Sequence, residues 1–201
     1  MLTEQDKKEI VNHILNNLES VDKQVKPWPH YVFNQFFPES YYQLLKDNFP
    51  HANQGWRSLS HNDYGARQVI FLKDEEKIKI SGERKNGLIE YIDKARLEIQ
   101  IIRDSIGYKI PPHCDTFKDK RHKLLTILIY FPISEELSGY GTELYTRNIF
   151  RRYKKVKQAP FLNNTALMFH PTYNVTWHGV SEITEAIPPR TSLQVFIKLR
   201  Q

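Results

Sequence analysis

Apolar side chains recur at helical spacing near the start of the chain. Over residues 3–20 they stand three or four positions apart, which predicts an amphipathic helix with one face against a core. Thr3 can cap this helix, because Asp6 follows three residues later as in a capping box. The apolar stripe comprises Ile10, Val11, Ile14, Leu15 and Leu18.

A second helix is expected to start near Pro38 and to end before Pro50. Between the two helices, the prolines around Trp28 in segment 26–29 interrupt the pattern and indicate a linker. A third, short helix is expected around residues 88–96. The buried side of the second helix would carry Tyr41, Leu44, Leu45 and Phe49.

The rest of the chain shows short apolar or alternating runs separated by prolines and glycines, which is typical of the strands of a β-sandwich or barrel. Helices followed by strands predict an α+β fold, in which the N-terminal helices pack on the outer face of the larger sheet. We expect one domain over 1–201, with helical support over 1–50 and a β-core over 97–199. The runs are 68–72, 97–103, 124–131, 166–169 and 192–199.

The last of these runs has two different faces, because alternate residues of a strand point the same way. We expect the apolar face to pack on the N-terminal helices and the largely polar face to line a pocket. The apolar set is Leu193, Val195, Ile197 and Leu199, and the other set is Arg190, Ser192, Gln194 and Phe196.

Composition narrows the class of protein. The 201 residues can bury a core, and 40% of them are hydrophobic. Cys114 is the single cysteine, which excludes an intrachain disulfide and favours a reducing compartment. The N-terminus lacks the pattern of a secretory signal, and no apolar run approaches the roughly 18 residues of a membrane span. We therefore expect a cytoplasmic protein without a membrane partner.

Two His-x-Asp triplets are candidate metal-binding motifs, although a triplet alone is weak evidence. His113-Cys114-Asp115 follows a strand-like run, and on an extended backbone His113 and Asp115 point to the same side while Cys114 points away. His61-Asn62-Asp63 lies in a turn-rich segment, so His61 is interpreted as a non-ligand or at most a rim residue.

A third ligand should come from a distant strand, and His178 is the candidate. It stands 63 residues after Asp115, and Arg190 follows 12 residues later. Two imidazoles and one carboxylate suit ferrous iron and leave coordination positions open. His170 competes for this role, but it precedes Pro171 and lacks an arginine at suitable spacing.

These motifs resemble those of the 2-oxoglutarate- and iron(II)-dependent dioxygenases, and above all the prolyl-hydroxylase-like branch, over about residues 97–199. The resemblance implies a double-stranded β-helix, or jelly-roll, with iron(II) held by His113, Asp115 and His178. It also implies that Arg190 binds the distal carboxylate of 2-oxoglutarate. The matching motifs are His113-x-Asp115, Gly141-Thr142-x-Leu144, Trp177-His178-Gly179-Val180 and Arg190-x-Ser192.

The implied reaction is hydroxylation of an unactivated C–H bond. It consumes 2-oxoglutarate and O2 and releases succinate and CO2, and ascorbate can be a further cofactor of this chemistry. Ser192 shares a face with Arg190 and can contribute a second hydrogen bond to the co-substrate. Tyr108 resembles a tyrosine that helps to hold the co-substrate in this family, with Thr126 or Tyr130 as alternatives. Because Asp115 is present, hydroxylation is favoured over halogenation.

The substrate is left open as a small molecule or a peptidyl side chain. A net charge of +6 and the basic segment 147–157, in which Phe150 and Tyr153 alternate with cations, keep a nucleic acid or nucleotide as an alternative. A solvated hairpin or loop is the plainer interpretation of that segment. Arg67 and Arg103 could bind an acidic substrate.

Three further points stay open. A non-catalytic metal-binding jelly-roll is the alternative from another class. Segments 51–66 and 132–140 are candidate rim loops because of their turn-rich composition. The oligomeric state cannot be derived from these patterns.

Overall fold

Two antiparallel sheets face each other, and two helices cover the outside of the larger one. The structure is a computed structural model that describes residues 2–50, 55–58, 67–77, 95–116, 123–184 and 188–199. Its helices are α1 (Glu4–Ser20), α2 (Glu39–Asp47) and a 3-10 helix (Glu135–Tyr140). The strands are β1 (Tyr31–Phe33), β2 (Arg57–Ser58), β3 (Arg67–Lys77), β4 (Ala95–Asp104), β5 (Ile110–His113), β6 (Lys123–Tyr130), β7 (Glu143–Arg147), β8 (Tyr153–Gln158), β9 (Ala166–Phe169), β10 (Trp177–Val180) and β11 (Arg190–Leu199).

The seven-stranded sheet has the order β1-β9-β6-β11-β4-β3-β2, and the four-stranded sheet has the order β5-β10-β7-β8. This arrangement confirms the jelly-roll core expected from the sequence. All five predicted runs lie in strands or overlap them, while β5, β7, β8 and β10 add short strands that apolar runs alone did not reveal. No helix of the described residues is long and apolar enough to cross a membrane.

Strand β11 runs through the middle of the larger sheet between β4 and β6. Leu193 on its outer face packs against the same buried cluster as Ile10, Ile14 and Leu45 of the helices, as predicted. Gln194 on the other face lines the cavity between the sheets. The alternation read from the sequence therefore separates helix packing from cavity wall.

Helix α1 begins as predicted. The Thr3 hydroxyl accepts a hydrogen bond from the Asp6 amide at 3.1 Å, and the Asp6 carboxylate accepts one from the Thr3 amide at 2.7 Å. The predicted apolar stripe is only half right, because Val11 and Leu15 are about half exposed while Ile10 and Ile14 pack on the core. The part of α1 that packs on the core is therefore narrower than its apolar face.

Helix α2 also forms where expected, but its most buried residue was not predicted. Tyr42 is 1% exposed and stacks on Phe131, with ring centroids 4.9 Å apart. Leu44, predicted to be buried, is 46% exposed. The buried face of α2 therefore includes Tyr42 in place of Leu44.

The linker interpretation of segment 26–29 was wrong for Trp28, which is 2% exposed. Its indole ring packs on Phe169 of β9, and its Nε1–H donates to the Trp177 carbonyl oxygen at 3.3 Å. Prolines break helices, but they do not prevent a neighbouring aromatic residue from anchoring the segment. The helix expected over 88–96 lies mostly outside the described residues, and its last two, Ala95 and Arg96, belong to β4.

Candidate active site

A cavity of about 240 Å³ lies between the two sheets. The smaller sheet contributes His113 and His178 to its wall, and the larger sheet contributes Thr126, Gln194 and Arg190. The cavity is therefore lined by candidate residues from both halves of the β-core, although Ser192 and Tyr130 are not among the lining residues.

His113, Asp115 and His178 converge at this cavity. Each offers one ligand atom, and the three atoms lie within 4.8 Å of one another. The Asp115 carboxylate oxygens stand 3.7 Å from His113 Nε2 and 3.8 Å from His178 Nε2. Antiparallel pairing of β5 with β10 sets His113 directly opposite His178, with ring centroids 4.3 Å apart. Two imidazole nitrogens and one carboxylate could hold a divalent transition metal.

Both imidazoles are oriented by backbone carbonyl groups. His113 Nδ1 donates to the Pro111 carbonyl oxygen at 3.1 Å, and His178 Nδ1 donates to that of Thr176 at 2.9 Å. A carbonyl oxygen can only accept, so each Nδ1 carries the proton and each Nε2 keeps a lone pair for a metal. Both rings are thus set in the tautomer that metal binding requires.

Asp115 is oriented by the larger sheet. The Thr126 hydroxyl donates to Asp115 Oδ2 at 3.1 Å. This contact leaves Oδ1 toward His113 and ties the loop that follows β5 to the opposite wall of the cavity. Thr126, proposed from the sequence to contact the co-substrate, therefore lies beside the candidate metal ligand.

Gly179 lets β5 and β10 approach closely. A Cβ added at this position would lie 2.6 Å from the Ile110 carbonyl oxygen, closer than van der Waals contact allows. Because Gly179 follows His178 and Ile110 precedes His113 by three residues, this glycine sets the spacing of the two imidazoles.

Arg190 is a charged residue enclosed in the core, with 1% of its surface exposed. Its Nε donates to the Tyr140 carbonyl oxygen at 2.7 Å, and its Nη1 donates to Asp104 Oδ2 at 2.9 Å. The guanidinium lies over the ring of Phe161, 4.9 Å from the centroid. These contacts fix its orientation at the cavity wall and leave Nη2 hydrogens for a ligand.

Asp104 and Arg67 complete a buried charge cluster, of which the sequence suggested Arg67 as a residue for an acidic ligand but did not suggest Asp104. Asp104 is fully buried and accepts two hydrogen bonds from Arg67, at 2.7 Å from Nε and 3.0 Å from Nη2. Burial alone would lower the pKa of Arg67, but the charge of Asp104, with Tyr108, more than offsets this and raises it. Both arginines therefore bind the same carboxylate from opposite sides.

The hydroxyl groups near Arg190 differ in how they are used. Ser192 Oγ is buried and has no hydrogen-bond partner among the described residues. Tyr130 donates to Thr142 Oγ1 at 2.8 Å, and burial raises its pKa. The ring of Tyr108 lies under the Arg67 guanidinium, 4.3 Å from its carbon, and lines the cavity. A buried guanidinium with donors to spare, next to an orphaned hydroxyl, fits a carboxylate ligand.

Other candidates from the sequence have different outcomes. His170 is exposed, its Nδ1 donates to the Leu124 carbonyl oxygen at 2.6 Å, and it is not part of the His-Asp-His group. Arg103 faces Trp56, 6.0 Å from the ring centroid, whereas Arg67 lines the cavity. His61 and most of segment 51–66 lie outside the described residues. Segment 132–140 is partly a 3-10 helix whose Leu137 is fully buried, so it is more than a rim loop.

The wall beyond Thr126 is polar. Lys198 pairs with Glu98, and Gln100 donates to Glu98, which is only 7% exposed. Gln194 lies on the same inner face of β11 and is 9% exposed. The cavity therefore offers hydrogen-bonding groups on the side away from Arg190 along β11.

A jelly-roll in which two histidines and one aspartate converge at a cavity defines a candidate metal-binding protein. Residues 99–198, about half of the chain, match the model of the 2OG-Fe(II) oxygenase superfamily. The chain belongs to this superfamily of iron(II)- and 2-oxoglutarate-dependent oxygenases. No curated protein matches the sequence.

Solved structures share the fold at low sequence identity. A prolyl-4-hydroxylase from Pseudomonas putida has a TM-score of 0.56 at 12% identity, covering 94% of this chain and 98% of its own. A prolyl hydroxylase from Trichoplax adhaerens, solved with a hypoxia-inducible-factor peptide, has a TM-score of 0.55 at 13% identity, covering 98% and 94%. A prolyl 4-hydroxylase from Phytophthora capsici gives 0.56 at 14% identity, covering 99% and 67%.

Proposed function

We propose that this chain hydroxylates an unactivated C–H bond of a polar small molecule or peptidyl side chain. Iron(II) would be held by His113, Asp115 and His178, and 2-oxoglutarate would be anchored by Arg190. The observation that carries this proposal is the convergence of the three ligand atoms within 4.8 Å at the cavity that also contains the buried guanidinium.

Bound iron would supply the redox chemistry that couples oxidation of 2-oxoglutarate by O2 to hydroxylation of the substrate, yielding succinate and CO2. The protein's part is geometric. Backbone carbonyls accept from Nδ1 of His113 and of His178, so Nε2 is the nitrogen that each ring offers to a metal. Thr126 fixes the Asp115 carboxylate, and the two sheets enclose the reacting groups.

The distal carboxylate of 2-oxoglutarate would bind Arg190, with Ser192 Oγ as a second donor. Both groups are buried, and the serine hydroxyl has no partner among the described residues. Of the three further candidates, Tyr108 is supported best, because it lines the cavity beside the charge cluster. The Tyr130 hydroxyl already donates to Thr142, and that of Thr126 donates to Asp115.

A polar substrate is supported by Glu98, Gln100, Gln194 and Lys198 on the cavity wall. Buried polar groups destabilise a fold unless they are hydrogen-bonded, and a polar ligand can share those bonds. The similar structure from Trichoplax was solved with a peptide, so a peptidyl side chain remains a candidate substrate. The single cysteine supports a reducing compartment such as the cytoplasm, and ascorbate would serve to keep the iron reduced.

The metal and co-substrate sites can be tested without knowing the substrate. Anaerobic addition of iron(II) and 2-oxoglutarate should give a weak visible charge-transfer band, and aerobic incubation should release succinate. His113→Ala and Asp115→Ala should abolish the band. Arg190→Met should weaken binding of 2-oxoglutarate while leaving binding of the metal alone in place.

Two matched histidine variants provide the controls. His61→Ala removes the histidine of the other His-x-Asp triplet, and His170→Ala removes the competing third ligand; both should keep the band. If His61→Ala abolished the band while His113→Ala preserved it, the wrong triplet would have been assigned. A band without succinate release under any condition would favour a non-catalytic metal-binding jelly-roll.

A further inference from the structure

A second cavity, of about 540 Å³, lies outside the active site. It is bounded by the turn that connects β7 to β8 and by the turn that precedes β10. Among the residues that the structure describes, no carboxylate lines this cleft, although two guanidinium groups do. The lining residues are Arg147, Asn148, Ile149, Arg151, Tyr173 and Asn174.

Arg147 forms the fixed wall of the cleft. Its guanidinium stacks on the rings of Tyr153 and Trp177, 5.4 and 4.9 Å from their centroids. Nη1 donates to Asn174 Oδ1 at 3.1 Å, while Nε is buried and has no hydrogen-bond partner among the described residues. A guanidinium held in this way loses little conformational entropy when it binds an anion, and it has donors left to do so.

Arg151 occupies a position that favours another residue. Its φ is +61°, in the left-handed region where glycine or asparagine is preferred. Asn148 holds the turn. Its carbonyl oxygen accepts a hydrogen bond from the Arg151 amide at 3.0 Å, and its Oδ1 accepts one from the Arg152 amide at 2.9 Å. An arginine at such a position destabilises the turn, so a functional role for its side chain would explain why it stands there. Lining the cleft with Arg147 provides one.

The cleft lies at the metal end of the four-stranded sheet. Strand β5 ends at His113, β7 ends at Arg147 and β10 begins at Trp177, and the antiparallel pairing brings these ends together. Asn174 stands four residues before His178. Trp177, on which Arg147 packs, and His178 are neighbours in β10 and point to opposite faces of the sheet, so a substrate that occupied both the cavity and the cleft would pass around this end of the strand.

We propose that this cleft binds a phosphate group, and that the phosphate belongs to the substrate. The assignment of this phosphate to the substrate rests on the proposed function, whereas phosphate binding by the cleft does not. Guanidinium groups present planar forks of donors to phosphate oxygens, and the Asn148 and Tyr173 side chains could supply further donors. Because the described part of the lining contains two guanidinium groups and no carboxylate, their positive charge is left for the ligand.

The phosphate is that of a small molecule rather than of a nucleic acid backbone. A nucleic acid needs a cationic track, but the lysines of β8 are partly engaged elsewhere. Lys155 pairs with Glu143 at 2.6 Å, and Lys157 bonds Gln24. Within the described residues, Arg147 and Arg151 form no ion pair and both line the cleft, whereas Arg152 and Lys154, which also form none, do not line it.

The test uses metal-free protein and inorganic phosphate, monitored by the side-chain N–H resonances of arginine and of the tryptophan indoles. Titration should shift Arg147 Nε–H and the indole of Trp177, which lies under it. Arg151→Gly suits the turn and should weaken phosphate binding at least fivefold without loss of stability. Arg147→Lys keeps the charge but loses the fork, and should weaken binding similarly. Arg152→Gln removes the same charge from the same turn outside the cleft, and should change affinity less than twofold.

Equal effects of Arg151→Gly and Arg152→Gln would overturn the site, because they would indicate only general electrostatic attraction. Acetate binding as tightly as phosphate would overturn the phosphate assignment. Two arms separate the sources of the phosphate: a phosphorylated sugar or amino acid, and a single-stranded oligonucleotide. Tighter binding of the oligonucleotide, with equal dependence on Arg152 and Lys154, would overturn the small-molecule assignment. Because iron is absent, these results are independent of the charge-transfer and succinate assays.

Discussion

Asp104 and Arg190 stand directly opposite each other on β4 and β11, and Arg190 Nη1 donates to Asp104 Oδ2 at 2.9 Å. Arg67 holds the other side of the same carboxylate from β3. One negative charge thus lies between two positive ones in a nearly dry environment. The carboxylate keeps Arg190 in the core when no ligand is bound, and the surplus positive charge remains for an acidic ligand.

Asp104→Asn should therefore destabilise the fold strongly. It removes the only negative charge of the cluster and leaves two buried guanidinium groups facing each other. We expect a loss of about 3 to 5 kcal/mol in the free energy of unfolding, measured by urea denaturation. The control is Lys109→Ala, which breaks an exposed ion pair with Glu182 and should cost less than about 1 kcal/mol. Similar losses in the two variants would contradict the structural importance of the buried cluster.

A methyl group at Gly179 should disturb the candidate metal site. Gly179→Ala would press on the Ile110 carbonyl oxygen and force β5 and β10 apart, moving His113 relative to His178. We expect metal affinity to fall by about 10-fold or more, and stability by about 1 to 3 kcal/mol. Metal titration and urea denaturation measure the two effects. Gly139→Ala is the matched control, because a Cβ there meets nothing within 4 Å. Unchanged metal affinity in Gly179→Ala would show that β5 and β10 can move apart without disturbing the positions of the two histidines.

The parts of the fold that sequence predicted are those controlled by local periodicity. The alternation in β11 correctly separated Leu193, which packs on the helices, from Gln194, which lines the cavity. The convergence of His113, Asp115 and His178 was also expected, because motif order and spacing imply one site. In both cases the information lies in neighbouring positions or in a composite motif.

The parts that sequence missed depend on register between distant strands. Asp104 lies at the end of β4, and nothing near it in sequence indicates that it meets Arg67 and Arg190. Trp28 was missed for a similar reason, because its packing partner Phe169 lies on a strand far along the chain. The exposed half of the α1 stripe, including Val11, is the converse case, in which periodicity implied more burial than the sheet provides.

The hydroxyl of Thr126 should tune metal binding through Asp115. Thr126→Val keeps the size of the side chain but removes the donor to Asp115 Oδ2, so the carboxylate loses its orientation. We expect metal affinity to fall by about 10- to 100-fold, with little change in the fold, as judged by competition with a fluorescent chelator. Thr126→Ser retains the hydroxyl and should retain most of the affinity. Equal affinities in the valine and serine variants would show that the hydrogen bond does not orient Asp115.

His30 should make stability depend on pH. Burial, and to a lesser degree the charge of Lys157, lower the pKa of His30 below its usual value of 6.5. Its Nδ1 donates to the Trp28 carbonyl oxygen at 2.8 Å, and its buried Nε2 has no partner among the described residues. A proton added at Nε2 would therefore find no acceptor, and the folded protein holds the ring neutral.

The sign follows from proton uptake. Above pH 6.5 the ring is neutral in both states, and its full contribution to stability is present. As the pH falls below 6.5, the unfolded chain binds a proton that the folded protein resists, so the free energy of unfolding falls by at most about 1.4 kcal/mol per pH unit from this residue. Urea denaturation of metal-free protein between pH 7.5 and 5.5 measures the slope, and His30→Gln should flatten it by up to one proton. All other residues are the same in the two proteins, so identical slopes would show that His30 is not the source of the pH dependence.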